Sequence, residues 1–184
     1  MTTNVRSTAP LPSDSVRPAD PADPAALEAL WLPLEDPRVR PLLEGLTREY
    51  DQRYGALFGG ASDEMDRYPA AEFAAPHGAL LILQEAGESV AGGAFRQFDA
   101  TTAELKRIWT HNGHRRRGLA RIVLAELEGQ ALRSGYRSLY LTTGPRQPEA
   151  KNLYLNTGYV PRFDVEADPE TIIHLAFTKD LVPG

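Results

Sequence analysis

The chain contains no cysteine. That excludes disulfides, a cysteine-ligated zinc and a cysteine acyl-enzyme, and it leaves a reducing cytoplasm as the expected compartment. Long apolar runs are missing too, since stretches such as Gly78 to Leu83 are far too short to cross a bilayer. The N-terminus lacks the basic start and apolar core of a secretion signal, so no membrane partner is expected. Positive charge is scarce, with 20 Lys and Arg against 25 Asp and Glu and a net charge of -5. Its one basic cluster is short and has no run of stacking aromatics around it, which argues against nucleic acid as a partner. Aromatics are absent from residues 1–26, which hold five prolines, five alanines and the phrase Ala19-Asp20-Pro21-Ala22-Asp23-Pro24. Such a segment cannot bury enough surface to offset its ordering entropy and is expected to be a disordered tail, with Val16-Arg17-Pro18 as an alternative edge strand. Residues 27–184 are read as a single domain, long enough for a real core.

What is there is an ordered series of periodic segments. Glu28 to Leu32 reads as a first strand. Asp36-Pro37 is an N-cap followed by proline, and Gly55 is a stop; between them Val39, Leu42, Leu43, Leu46 and Tyr50 recur at helical spacing. Residues 56–77 form a long connection with a short helix expected around Asp63 to Tyr68, and such connections often carry function. Ala79 to Glu85 and Val90 to Phe98 read as strands joined by a turn at Ala86-Gly87-Glu88-Ser89, and a third strand follows from Ala103 to Thr110. The turn comes close to the Gly-x-Ser-x-Gly elbow of serine hydrolases, but the last glycine and the following helix are missing. A helix from Gly118 to Ser134 is expected to bury Leu119, Ile122, Val123, Leu127 and Ala131. Ser138 to Thr143 is the next strand, Pro148 to Asn156 a helix, and Tyr159 to Asp164 and Thr171 to Thr178 a closing pair. The strand-helix-strand order places the Glu104 and Leu139 strands parallel and adjacent. The fold class is therefore α/β (α+β): a mixed, mostly antiparallel sheet of about seven strands with helices on both faces.

At the centre of this series stands Arg115-Arg116-Arg117-Gly118-Leu119-Ala120. From Glu104 to Arg121 there are six Lys/Arg against one Glu, a basic island in an acidic chain. An arginine-rich turn opening into a helix offers unpaired N–H groups and the positive end of the helix dipole to a phosphate. Gly118 lets a ligand approach the backbone closely. Arg115, Gly118 and Ala120 match Arg/Gln-x-x-Gly-x-Gly/Ala, and Ala150, Leu153, Tyr154 and Gly158 match a later Ala-x-x-Leu-Tyr-x-x-x-Gly-Phe, with Tyr159 in the Phe position. In that order and spacing the two motifs make residues 79–179 resemble the GNAT N-acetyltransferase superfamily.

The resemblance implies a splayed parallel strand pair at the CoA site and direct transfer of an acetyl group from acetyl-CoA to an amine. The chain, lacking a cysteine nucleophile and a serine triad, suits direct transfer. By the same resemblance the pyrophosphate sits on the backbone of Arg115, Arg116, Arg117, Gly118, Leu119 and Ala120, and the pantetheine arm pairs with the open edge of Ile108, Trp109 and Thr110. Tyr154 stands where the family has its general acid, and Glu104 where a glutamate often takes the proton from the amine. Water and His111 remain alternatives to Glu104 as the base, and Glu104 also reads as an exposed strand residue in a charge pair. Gln147 stands where an Asn is usual, so the pantetheine hydrogen bond or the turn there is expected to differ. His111 and His114 are three apart with no carboxylate at ligand spacing, and no metal is expected. The acceptor, a small molecule or peptide amine, is not encoded in any pattern; Tyr50, Tyr54 and the 56–77 connection are candidates to line its pocket. Open sheet edges allow a homodimer. The competing reading is a non-catalytic acyl-CoA-binding or regulatory module. A nucleoside-triphosphate-binding protein is a distant third reading, since the Gly-Lys-Ser/Thr of a phosphate loop is missing.

Overall fold

In a computed structural model of the protein, which describes residues 26–55 and 67–182, the Asp36-Pro37 pair acts as a helix start. Asp36 Oδ1 accepts the backbone N–H of Arg38 at 2.9 Å, and proline opens a 3-10 turn, Pro37–Val39, that runs into α1 (Arg40–Tyr54). Gly55, at φ 53°, ends it. Val39, Leu42, Leu46 and Tyr54 are buried on one side, while Arg40, Glu44, Arg48 and Asp51 face water. Both proposed N-terminal elements, the tail and its edge strand, lie outside the described residues except for Ala26. The helix expected around Asp63 also lies outside them, apart from Arg67 and Tyr68, which form a bend.

Seven strands form one sheet in the order β1-β2-β3-β4-β5-β7-β6: β1 (Leu27–Trp31), β2 (Ala79–Glu85), β3 (Glu88–Gln97), β4 (Thr102–Thr110), β5 (Ser138–Thr143), β6 (Val160–Pro161) and β7 (Leu175–Asp180). Every neighbour pair is antiparallel except β4 and β5, which are parallel and joined by α2 (Leu119–Arg133). Such a pair needs a long crossover, and the helix supplies it. The β2–β3 turn is shorter than expected. Ala86 and Gly87 both take positive φ, 50° and 79°, a combination whose twist suits a two-residue hairpin, so Glu88 and Ser89 belong to the strand.

Period-two alternation splits the sheet between two cores. Leu81, Leu83, Phe95, Leu105, Leu139 and Leu141 pack against α2 and against Tyr154 of α3 (Pro148–Leu155). Leu80, Ile82, Ala94 and Trp109 face the other way, against α1 and Phe73. On α2 the buried set is Leu119, Val123, Leu124, Leu127 and Ala131, whereas Ile122 is 40% exposed. At about 100° per residue the five buried positions fill an arc of roughly 140°, and Ile122 falls about 60° outside it. The closing strands also differ from expectation. β6 has two residues, β7 starts at Leu175, and between them Asp168-Pro169 starts a 3-10 turn, with Asp168 Oδ1 accepting the N–H of Glu170 at 3.0 Å. It is the same cap-and-proline signature as Asp36-Pro37.

Gly92 and Gly93 lie where both layers press on β3. A Cβ on Gly92 would stand 2.6 Å from the Leu81 carbonyl oxygen and 2.8 Å from Leu42 Cδ1. Gly92→Ala is therefore expected to destabilise the fold by about 1–3 kcal/mol, the usual cost of overpacking. Urea unfolding checks it, and an unmoved midpoint would refute this account of the α1 contact.

Candidate active site

A bulge in β4 creates the site. Arg107 has φ 59°, and the β3–β4 register jumps between Ala94↔Lys106 and Gly92↔Trp109. An inserted residue bends its strand and strengthens the twist. Accordingly β4 pairs with β5 only from Thr102↔Ser138 to Glu104↔Tyr140, and past that point the two strands have no further paired residues. Residues 108–110 thus keep an edge of β4 unpaired on the β5 side, while Trp109 and Thr110 still pair with Gly92 and Ala91 on the other.

After β4, His111 Nδ1 accepts the N–H of Gly113 at 3.1 Å and starts a 3-10 turn, Asn112–His114. Arg116 at φ 62° and Gly118 at φ 78° then lead the chain into α2. The first turn of α2 holds no acidic residue, and no side chain caps it. Arg121 N–H reaches the Gly118 carbonyl at 3.0 Å, so the N–H groups just before it stand at the open, positive end of the helix. The arginine side chains point elsewhere. Arg115 pairs with Glu49 of α1 at 3.0 Å, and Arg117 grips both oxygens of Glu85 at 2.6 and 2.9 Å. The Arg117 hydrogen bonds hold Glu85 below the ordinary carboxylate range. These pairs are exposed and cost little to rearrange.

The gap between β4 and β5 opens into a cavity of about 480 Å³. Ile108, Gln147 and Tyr154 line it, as do Glu104, Tyr50 and Tyr54. The sequence-expected catalytic pair, Glu104 and Tyr154, therefore shares one space with two of the expected cofactor residues. Tyr154 is 5% exposed, and its ring packs on Tyr159 and Phe177 with centroids 5.5 and 5.4 Å away. Burial pushes its phenol well above the ordinary tyrosine range, and the nearby Tyr50 adds to this. Among the described residues nothing hydrogen-bonds its hydroxyl.

Glu104 is 5% exposed rather than a surface residue. It sits opposite Arg96 in the β3–β4 register, forms ion pairs with Arg96 Nε at 2.9 Å and Lys106 Nζ at 3.1 Å, and so is a buried member of a charge cluster. Gln147 Oε1 accepts the Thr143 hydroxyl at 2.6 Å and the Gly144 N–H at 3.2 Å, which orders the end of β5. The Trp109 side chain is 5% exposed in the α1 core, with its indole filling the space beside Gly45, which leaves its backbone at the gap. His111 and Arg115 line an outer cleft of about 310 Å³ with Trp109, not the cavity that holds Tyr154. Among the described residues no group of three or more His, Asp or Glu is placed to hold a metal.

Sequence reasoning missed Arg96 as a cavity residue. Arg96 was findable, since hairpin register alone puts it across from Glu104. Tyr68 and Phe73, which also line the cavity, lie in the 56–77 connection offered as pocket lining, although its lack of periodicity singled out neither.

Residues 43–159 match the model of the acetyltransferase (GNAT) family. A Bacillus subtilis protein, the uncharacterized N-acetyltransferase YsnE, is 33% identical over 92 residues, 47% of this chain and 61% of its own length. The chain thus spans less than two thirds of that relative. Among solved structures, a GNAT-family acetyltransferase from Staphylococcus aureus superposes with a TM-score of 0.69 at 15% identity, covering 85% of this chain and 100% of the other. The PaiA N-acetyltransferase of Thermoplasma acidophilum, in complex with coenzyme A, superposes at 0.64 with 14% identity over 84% and 99%. With the family's model matching well over half of its length, and with the splayed β4–β5 pair and open-ended α2 in place, the chain belongs to the GNAT acetyltransferase family.

Proposed function

We propose that the chain transfers an acetyl group from acetyl-CoA directly to the amine of a small molecule or peptide, in the cytoplasm. The observation that carries this reading is Tyr154: a buried residue whose phenol is kept protonated, has no hydrogen-bond partner among the described residues, and lines the cavity where β4 and β5 part. The cosubstrate fits the residues present. The uncapped start of α2, with no acid in its first turn and nothing within 4 Å of a Cβ built on Gly118, suits a pyrophosphate on the backbone of Arg115 to Ala120. The free edge at residues 108–110 suits an extended amide-bearing arm. Arg115 and Arg117 would then exchange Glu49 and Glu85 for phosphate oxygens.

Acetyl-CoA supplies the activated thioester. An amine attacks only when neutral, and a lysine-like amine has a pKa of about 10.4, so a proton acceptor is needed near neutral pH. Glu104 fills that role, receiving the proton through water. As the carbon–sulfur bond breaks, Tyr154 gives its proton to the departing sulfur. The test is thiol release from acetyl-CoA across a panel of amines. With no cysteine in the chain, any thiol detected is that of CoA. Acetyl-CoA binding without transfer to any amine would instead leave the non-catalytic binding module.

Glu104→Gln is expected to lower kcat/KM by about 10²-fold at pH 7 and progressively less as pH approaches the pKa of the amine. A loss that is uniform across pH would make Glu104 a positioning residue. Melting should be recorded alongside, because Arg96 and Lys106 lose a buried charged partner.

A further inference from the structure

Three side chains that belong to neither core meet at the cavity that holds Glu104 and Tyr154. Phe98, in the turn between β3 and β4, is 52% exposed. Ile173, just ahead of β7, is 67% exposed, more than any other large hydrophobic side chain among the described residues. Tyr140 of β5 is half-buried, and its ring stacks on that of Phe98 with centroids 4.7 Å apart and planes inclined by 34°. A single exposed apolar side chain is ordinary on a protein surface. Three of them, drawn from separate stretches of the chain to the wall of one cavity, are not, because each stays out of the cores while adding apolar surface to a space whose inner end is polar.

The sheet fixes where this apolar wall stands relative to the proposed chemistry. Tyr140 is the partner of Glu104 across the parallel pair. With Leu139 and Leu141 taken into the α2 core, the alternation of β5 turns Tyr140 and Thr142 towards the cavity. At the outer end of β4, the Phe98 N–H donates to the Thr102 carbonyl at 3.0 Å, which puts Phe98 two residues, roughly 7 Å along the strand, outward of Glu104. The unpaired edge at residues 108–110 lies in the other direction. Aromatic pair, proposed base and proposed cofactor edge therefore follow one another along β4.

Building on acetyl transfer as the activity, we propose that the acceptor is a primary amine joined by a short alkyl linker to an aromatic ring, with the ring seated against Phe98, Tyr140 and Ile173 and the amine directed inward to Glu104. The bound ring covers the exposed faces of Phe98 and Ile173 and adds a third ring to an existing pair. Burial favours any ring over a short alkyl chain, and the geometry of aromatic contacts favours an aromatic ring over a saturated one. Because the ring lies away from the reacting atoms, its binding serves to position the nitrogen.

Phenethylamine, 2-cyclohexylethylamine and ethylamine test this, since they share one aminoethyl group and differ in what it carries. Taken per unprotonated amine, so that differences in amine pKa drop out, kcat/KM is expected to be about tenfold or more higher for phenethylamine than for ethylamine, and about 2–10-fold higher than for 2-cyclohexylethylamine. Phe98→Ala or Ile173→Ser is expected to shrink the phenethylamine-to-ethylamine ratio severalfold; both side chains are largely exposed, so neither change should cost the fold. A ratio near one, a saturated ring that serves as well as the aromatic one, or a ratio that neither variant changes overturns the proposal. Because a ratio is read, a general loss of activity in a variant does not disturb it. Calorimetric titration of the same amines into the CoA-saturated protein reads the ring preference without turnover. Preferential binding of phenethylamine with no transfer would retain the aromatic subsite while removing acetyl transfer; transfer without any ring preference would do the reverse.

Discussion

Gly118→Glu is expected to abolish acetyl-CoA binding in a protein that still folds. Gly118 holds φ 78°, a conformation that costs an L-residue with a side chain roughly 1–2 kcal/mol. Nothing lies within 4 Å of a Cβ built there, so the substitution meets strain but no clash. The same open space is where the N–H groups at the start of α2 would face the pyrophosphate. A carboxylate in it would cap those groups itself, as acids at helix N-termini do, and would repel the phosphates. The expected loss is at least 100-fold in Kd. Gly118→Ala carries the same backbone strain without the charge and should lose tenfold or less, with a similar drop in melting temperature. Near-normal calorimetric affinity in folded Gly118→Glu would remove this turn from the account of cofactor binding.

Much of the site was legible because its parts are local. The cap at Asp36-Pro37, the stop at Gly55 and the strand Ser138–Thr143 follow from neighbouring residues alone, and the structure places them within a residue or two of their expected positions. The parallel pairing of β4 with β5 also followed, since a strand-helix-strand order leaves few other arrangements. What escaped depends on distant parts of the chain. The left-handed Arg107 is not a residue type that announces positive φ, so the bulge that ends the β4–β5 pairing had no sequence signal. It also sets which residues face which layer: Lys106 reaches the cavity, whereas Trp109 is turned into the α1 core. A reading by strict alternation from Glu104 would have placed Trp109 on the opposite face. The shortening of β6 and late start of β7 are signalled only by Asp168-Pro169, in a segment with no helical periodicity.

On the proposed function, the bulge would let one strand serve two ligands. Before it, β4 is paired on both sides and presents Glu104 beside Arg96 and Tyr140, where an acceptor would lie. After it, β4 offers a free backbone edge towards the start of α2. A single inserted residue would thereby separate the proposed acceptor end from a proposed cofactor end built mainly of backbone.

Tyr154→Phe is the sharper of the two tests, because it deletes one oxygen and leaves the ring against Tyr159 and Phe177. If Tyr154 protonates the departing thiolate, kcat should fall by about 10²-fold or more, while acetyl-CoA affinity barely changes. Folding stability near neutral pH should stay level or rise slightly, since no hydrogen bond among the described residues is lost and the polar atom of a buried residue is removed. The pH dependence has a definite sign. Burial raises the folded-state pKa of Tyr154 above the unfolded value of about 10, so its contribution to stability is complete below pH 10 and is lost as pH climbs further. The variant should therefore lose less stability than the parent above pH 10, although Tyr159, raised by burial and by Glu128, still titrates in both. For the same reason the parent enzyme should keep its proton donor, with no alkaline fall in kcat from Tyr154 below about pH 10. Slow product release would hide the chemical step, so the comparison belongs in a single turnover. Single-turnover chemistry unchanged by the substitution, with a real acceptor, would sink the assignment of Tyr154 as the acid.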